Sequence, residues 1–222
     1  MSYKSIKHNP YSIVKMFEEE VAEYTGAPYA VAVDSCSNAI FLACYYQKLR
    51  HEMMFEKAGV GLPTVSIPKK TYLSIPMSVH HSGHPIKFVD FDWSGQYRLN
   101  PLPIYDSAKK LTSNMYKPLQ HMCLSFHIKK LLPIGKGGMI LTDDPEAVRW
   151  YKKARYEGRS ECNYRDDDVK MMGWNMYMDP QIAARGLSLM QNYPEHVEDL
   201  GEHEGYRDLT EMTIFKEYLN DS

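Results

Sequence analysis

The sequence carries almost no excess charge of one sign. Its 26 lysines and arginines nearly balance 28 aspartates and glutamates, for a formal net charge of -2. It therefore lacks the basic footprint of a nucleic-acid binder, and no nucleic-acid partner is expected. Cysteine is sparse. Cys36, Cys44, Cys123 and Cys162 are scattered without metal-type spacing, which suits a reduced, cytoplasmic protein. No apolar window is long enough to span a membrane, and the opening MSYKSIKHNP has no apolar leader core, so no membrane partner is expected. Internal repeats and low-complexity tracts are missing too. His80, His81 and His84 cluster, but no carboxylate or cysteine of suitable spacing joins them. Surface histidines and no metal are the expectation.

What is present suffices for a core. In 222 residues, 44% are hydrophobic and 12% aromatic, which fits one large domain or one domain with a small appendage. Asn9-Pro10 reads as a helix start, with Asn as cap and Pro at the first helical position. Ile13, Phe17 and Val21 recur every fourth residue in a helix closing near Gly26. Tyr29 to Val33 reads as a buried strand. Asp34-Ser35-Cys36-Ser37-Asn38 then turns into a helix through Ala39 to Tyr46. Such a turn offers backbone N–H groups to an anion, although from the residues alone plain capping by Ser37 or Asn38 explains it better. Strands are read at Val65 to Pro68, His84 to Asp90, before Asp106, at Met122 to Phe126 and at Met139 to Thr142. Asp144-Pro145 starts a helix running to about Gly158, and Asp179-Pro180 leads into another. Asp166-Asp167-Asp168 is a solvated loop. Strands alternating with helices give an α/β domain.

The stretch that stands out is Ser125-Phe126-His127-Ile128-Lys129-Lys130, followed by Gly135-Lys136-Gly137-Gly138-Met139. Lysines at the end of a buried strand either sit on an exposed turn or are kept for chemistry. An amine beside another cation gives up its proton more readily and can attack a carbonyl. Read alone, the Lys-Lys pair is better explained by a solvated turn.

This run resembles the Ser-Phe-His-x-x-Lys…Gly-Glu-Gly-Gly-Met signature of the DegT/StrS-type sugar aminotransferases, fold-type I enzymes that use pyridoxal 5'-phosphate (PLP). The resemblance makes Lys130, not Lys129, the Schiff-base lysine, and leaves Lys136 where the family has Glu. Further motifs follow in the family's chain order. Cys36 and Ser37 stand for the Gly and Thr of a phosphate-gripping Ser-Gly-Thr-Ala. Thr71-Tyr72 resembles the Thr-aromatic pair whose ring stacks on the cofactor. Tyr105-Asp106-Ser107-Ala108-Lys109 resembles the segment whose Asp pairs with the pyridine nitrogen, with Lys109 in place of a Gln. Gly173 to Met178 resembles a segment whose Asn, here Asn175, reaches the partner subunit's cofactor phosphate.

The resemblance implies a three-layer α/β/α sandwich around a mostly parallel sheet. It covers roughly residues 27–192. Residues 1–192 would form the PLP-binding domain, shortened between Asp90 and Asp106 where the family has a further βα segment, and 193–222 a residual C-terminal tail. It implies Lys130 and Asp106 as catalytic residues. Cys36, Ser37, Tyr72, Lys109, Ser125 and Asn175 join them around PLP. The implied reaction moves an amino group from an amino acid, glutamate by analogy, to a keto-sugar nucleotide, in a homodimer with shared sites. PLP chemistry on another small substrate, and an inactive binding or assembly subunit, stand as alternatives.

Overall fold

A computed structural model describes residues 9, 11–55, 58–201 and 205–219 of the chain. One sheet has the order β1 (Tyr29–Val33), β7 (Gly138–Thr142), β6 (His121–Ser125), β5 (Ile104–Asp106) and β4 (Tyr97–Arg98). A second pairs β2 (Val65–Pro68) with β3 (Ile86–Val89). The Ser66 N–H donates to the Asn100 carbonyl at 2.8 Å, joining β2 to the hairpin between β4 and β5.

Alternate residues of the larger sheet face two cores, because side chains on a strand alternate between faces. Val31, Val33, Cys123 and Ile140 join one core with α2 (Cys36–Phe55), α3 (Ser74–His81) and α4 (Pro145–Ala154). Ala30, Ala32, Met122, Leu124, Met139 and Leu141 join the other with α1 (Ser12–Thr25) and α5 (Pro180–Met190). Helices therefore cover both faces, and the three-layer α/β/α arrangement stands.

The pairing is less parallel than expected. β5 runs parallel to β6 and β2 to β3, but β7 is antiparallel to both β1 and β6, and β4 is antiparallel to β5. The connection explains β7. Residues 126–137 contain no helix to carry the chain back over the sheet, as a parallel return requires. They form a ribbon instead, with Phe126 N–H to Gly137 O at 2.9 Å and Ile128 N–H to Gly135 O at 3.0 Å. β1, β6 and β5 still run in one direction, so their carboxyl ends lie on one edge.

Several local expectations shift. Asn9 does not cap α1. Its Oδ1 accepts the Tyr11 N–H at 2.9 Å, just ahead of the helix, and Pro10 lies outside the described residues. α1 does end at Gly26, in the left-handed conformation with φ 73°. α2 continues past Tyr46 to Phe55. α3 was not anticipated, although Pro76 sits in its first turn, where proline is tolerated. Asp144 and Asp179 cap α4 and α5 as expected, but α4 stops at Ala154. His84 is not on the surface. It is buried between the Pro63 and Cys44 carbonyls, each 3.2 Å from a ring nitrogen, and burial lowers its pKa.

β1 is an edge strand, and a buried ion pair closes its edge. Glu18 Oε1 accepts the Ala32 N–H at 2.9 Å, and Arg155 donates both to Glu18 and to the Ala32 carbonyl. Backbone groups left open there would invite another strand. Past α5 the chain comes back to the main core, where Leu209 and Phe215 are buried. Among the described residues no helix is long and apolar enough to cross a membrane, and no group of three or more His, Cys, Asp or Glu could hold a metal ion.

Candidate active site

The carboxyl edge of β1, β6 and β5 gathers most of the residues singled out above. In open α/β sheets such edges are where ligands bind. Asp106 is the last residue of β5 and is buried. Its cross-strand neighbour Tyr97 donates a hydroxyl hydrogen bond to Oδ2 at 2.8 Å, and the Ala108 N–H donates to Oδ1 at 3.0 Å. Burial pushes the Asp106 carboxyl above its ordinary pKa. The Tyr97 hydroxyl, the Ala108 N–H and the Lys130 and Lys109 ammonium groups pull it back. The Thr71 hydroxyl lies 2.6 Å from the Tyr97 hydroxyl, so Thr71, Tyr97 and Asp106 form a buried relay.

Lys130 sits on a tight turn in the ribbon after β6, its N–H donating to the His127 carbonyl at 2.8 Å. It is half-buried, whereas Lys129 is exposed. The Lys130 charge is felt at Asp106, Cys36 and Lys109. The second cation of this site is therefore Lys109, not the adjacent Lys129. Burial and then Lys130 lower the Lys109 pKa, and Asp106 opposes them.

Cys36 opens α2 and is buried; burial and Asp106 drive its thiol well above its ordinary pKa, so it stays protonated. Its Sγ lies 3.6 Å from the Cys123 carbonyl. The Ser37 hydroxyl lies 2.6 Å from that of Ser74, so the first turns of α2 and α3 meet at a pair of hydroxyls. Gly138 lets β7 approach this turn: a Cβ there would lie 2.4 Å from the Ser35 carbonyl carbon and 2.5 Å from the Cys36 nitrogen. Lys136, the departure between glycines, pairs with Asp34 at 3.1 Å.

The remaining candidates are more peripheral. Tyr72 is 55% exposed. Ser125 is half-buried, and its Oγ accepts the His127 N–H at 3.5 Å. Asn175 is exposed and its side chain donates to Glu157 of the same chain at 2.8 Å. Sequence reasoning missed Thr71's partner Tyr97, the Ser74 hydroxyl and Trp93, whose Nε1 donates to the Lys70 carbonyl at 2.9 Å. The aromatic run Phe91, Trp93, Tyr97 ahead of Asp106 was the available signal.

The sequence matches the DegT/DnrJ/EryC1/StrS aminotransferase family over residues 3–112 and 118–206, most of its length. The chain belongs to this family. It is 26% identical to the spore coat polysaccharide biosynthesis protein SpsC of Bacillus subtilis (strain 168), over 78% of this chain and 55% of that protein. The fold is similar to that of Helicobacter pylori PseC, an aminotransferase of pseudoaminic acid biosynthesis (TM-score 0.62, 16% identity, 87% of this chain and 64% of that one). It is also similar to that of the sugar aminotransferase CalS13 from Micromonospora echinospora (TM-score 0.62, 16% identity, 82% and 60%). The chain thus spans between about half and two thirds of these relatives' lengths. The family's cofactor is PLP, and the solved relatives include a PLP-form.

The residues present fit that cofactor. Asp106 accepts one hydrogen bond on each carboxylate oxygen and has lone pairs left. The hydroxyl pair at two helix N-termini suits a phosphate.

Proposed function

We propose that this chain is a PLP-dependent aminotransferase that moves an amino group from an amino acid, glutamate in the simplest case, to a keto-sugar nucleotide. The observation that carries the reading is that the buried Asp106 ends β5 while Lys130 stands half-buried on the ribbon that leaves the neighbouring β6, near enough for its charge to act on the Asp106 carboxyl. Ser37 and Ser125 would hold the phosphate, with Cys36 beside them. Tyr72 would lie against the ring, and Lys109 would add positive charge at the rim. Lys130 would hold the cofactor covalently through Nζ. PLP bound there supplies an electron sink that eases breaking of a bond at the amine-bearing carbon. Asp106 keeps a proton at the pyridine nitrogen. Released from that bond when the substrate amine takes its place, Lys130 Nζ would take the proton from the substrate carbon and return it. SpsC and PseC, named for polysaccharide and pseudoaminic acid biosynthesis, support a sugar acceptor.

The reading includes a homodimer in which Asn175 reaches the second copy's cofactor phosphate. Closed twofold dimers are the commonest assembly. In that dimer, Asn175 exchanges its bond to Glu157 for the partner's phosphate. Solution mass tests the assembly, and a monomer rules this part out.

The test of the reaction is spectroscopic. With PLP the protein should develop a visible band that glutamate bleaches. Lys130→Ala should abolish turnover, and Lys129→Ala should keep most of it. A band that glutamate leaves unchanged points to another small substrate. No band at all favours a binding or assembly subunit.

A further inference from the structure

Beyond α5 the chain returns to both walls of this site. On one wall, Lys110 Nζ pairs with Asp199 at 2.9 Å and the Leu200 N–H donates to the Lys109 carbonyl at 2.9 Å. On the other, the Leu209 N–H donates to the Lys69 carbonyl at 2.9 Å, and the Asp208 backbone forms an isolated antiparallel β-bridge with Lys70. Leu209 and Phe215 are buried behind this second anchor, with the Phe215 ring 5.5 Å from Phe88. The anchors thus fall beside Asp106 and beside Thr71 and Tyr72.

Tyr206 lies near the second anchor and points back at the site. Its ring stacks on Trp93, centroids 6.0 Å apart and planes at 24°. Lys109 Nζ stands 4.9 Å from the Tyr206 centroid and 5.4 Å from that of Trp93. Burial first, and then Asp106, Cys36 and Tyr72, push the Tyr206 phenol up to about 12. It therefore shares its surroundings with three of the residues expected around the cofactor. The lysine that replaces the family's glutamine at 109 has its charge set against an aromatic pair, an arrangement that stabilises a partly desolvated cation.

We propose that Tyr206 is a further residue of the cofactor site, which, with Trp93 and Lys109, forms its outer wall and retains PLP. The proposal rests on the reading that the chain binds PLP. An aromatic ring flanked by a stacked ring and a cation closes apolar surface over whatever lies beneath it. Replacing the ring opens that wall while leaving the backbone anchors at Leu200 and Leu209 in place.

The test loads wild type, Tyr206→Phe, Tyr206→Leu and Tyr206→Ala with PLP and moves each into cofactor-free buffer. Loss of the visible band gives the release rate, and amide hydrogen exchange at Leu200 and Leu209 reports the anchors. Tyr206→Phe should release at nearly the wild-type rate. Tyr206→Leu, which keeps apolar bulk, and Tyr206→Ala should release about tenfold faster, the effect expected from losing one aromatic and one cation contact. Exchange at the anchors should not change. Wild-type release from Tyr206→Ala and Tyr206→Leu overturns the proposal. So does faster release that tracks faster exchange at Leu209, since Tyr206 would then only pack the returning chain. A band that forms in no variant and not in wild type removes the cofactor reading and this proposal with it. A band in wild type with equal rates throughout removes only the role of Tyr206.

Discussion

Glu18 and Asp106 are both carboxylates almost out of reach of solvent, at 3% and 4% exposure, yet they are held in opposite ways. Glu18 is met by the Arg155 guanidinium, by Lys152 at 3.2 Å and by the Ala32 N–H. Its charge is neutralised where it stands, and the cluster seals the β1 edge between α1 and α4. Asp106 takes a tyrosine hydroxyl and a backbone N–H. Burial therefore leaves its carboxyl raised above its ordinary pKa. A charge paired on the spot holds a fold together. A charge left under strain at a strand end is available to something that arrives later, and such groups gather at functional sites.

The comparison can be broken most forcibly at Arg155. Arg155→Met leaves Glu18 with Lys152 as its remaining cation and the Ala32 carbonyl without its donor. Removing one partner of a buried ion pair costs about 3–5 kcal/mol. Denaturant unfolding should show a loss of that size, while the cofactor band of the protein that remains folded should be normal. A loss within 1 kcal/mol would mean that the pair is dispensable.

Gly138 connects the two regions, because it lies on β7 against the turn from β1 that carries Cys36 and Ser37. In Gly138→Ala the new Cβ meets backbone rather than a flexible side-chain end, so the turn must move. A loss of about 1–3 kcal/mol, as for overpacking elsewhere, should come with weaker PLP binding by titration. Loss of stability with unchanged PLP affinity would separate this turn from the site.

The smallest effect on stability has the most telling sign. A carboxyl raised by burial is most favourable when protonated and loses that contribution as pH rises through its folded value. At neutral pH the ionised Asp106 is therefore a burden on the cofactor-free protein. Asp106→Asn should melt slightly higher than wild type at pH 7, and the gain should shrink as the pH falls through the carboxylate range. Turnover should fall by orders of magnitude. A variant that is less stable at pH 7, or that keeps wild-type turnover, makes Asp106 a structural residue like Glu18.

Much of this contrast was legible in the sequence, and the rest was not for identifiable reasons. Lys130, Asp106 and Ser37 sit in short motifs whose order along the chain can be read directly. Glu18 was hidden, because in an acidic helix face a buried glutamate looks like its solvated neighbours Glu19 and Glu20. The direction of β7 depends on how residues 126–137 bond to each other, not on strand propensity. Tyr97 was signalled only by the aromatic run ahead of Asp106, and Tyr206 lies at a sequence separation from the site that no local pattern records. Tyr97 reaches Asp106 through a two-residue strand, and Tyr206 reaches Trp93 and Lys109 through chain that returns after α5. Lys109 was noted as a departure from the family, but the aromatic rings that surround its charge are visible only in the fold.

The central claim is that Lys130, at the same sheet edge as Asp106, is where this chain binds PLP. The most direct measurement is to incubate the protein with PLP, reduce it with borohydride and map the modified peptide. The account predicts one adduct, on Lys130, and none in Lys130→Ala. An adduct on Lys129 or Lys109, or no adduct on any lysine, would contradict it.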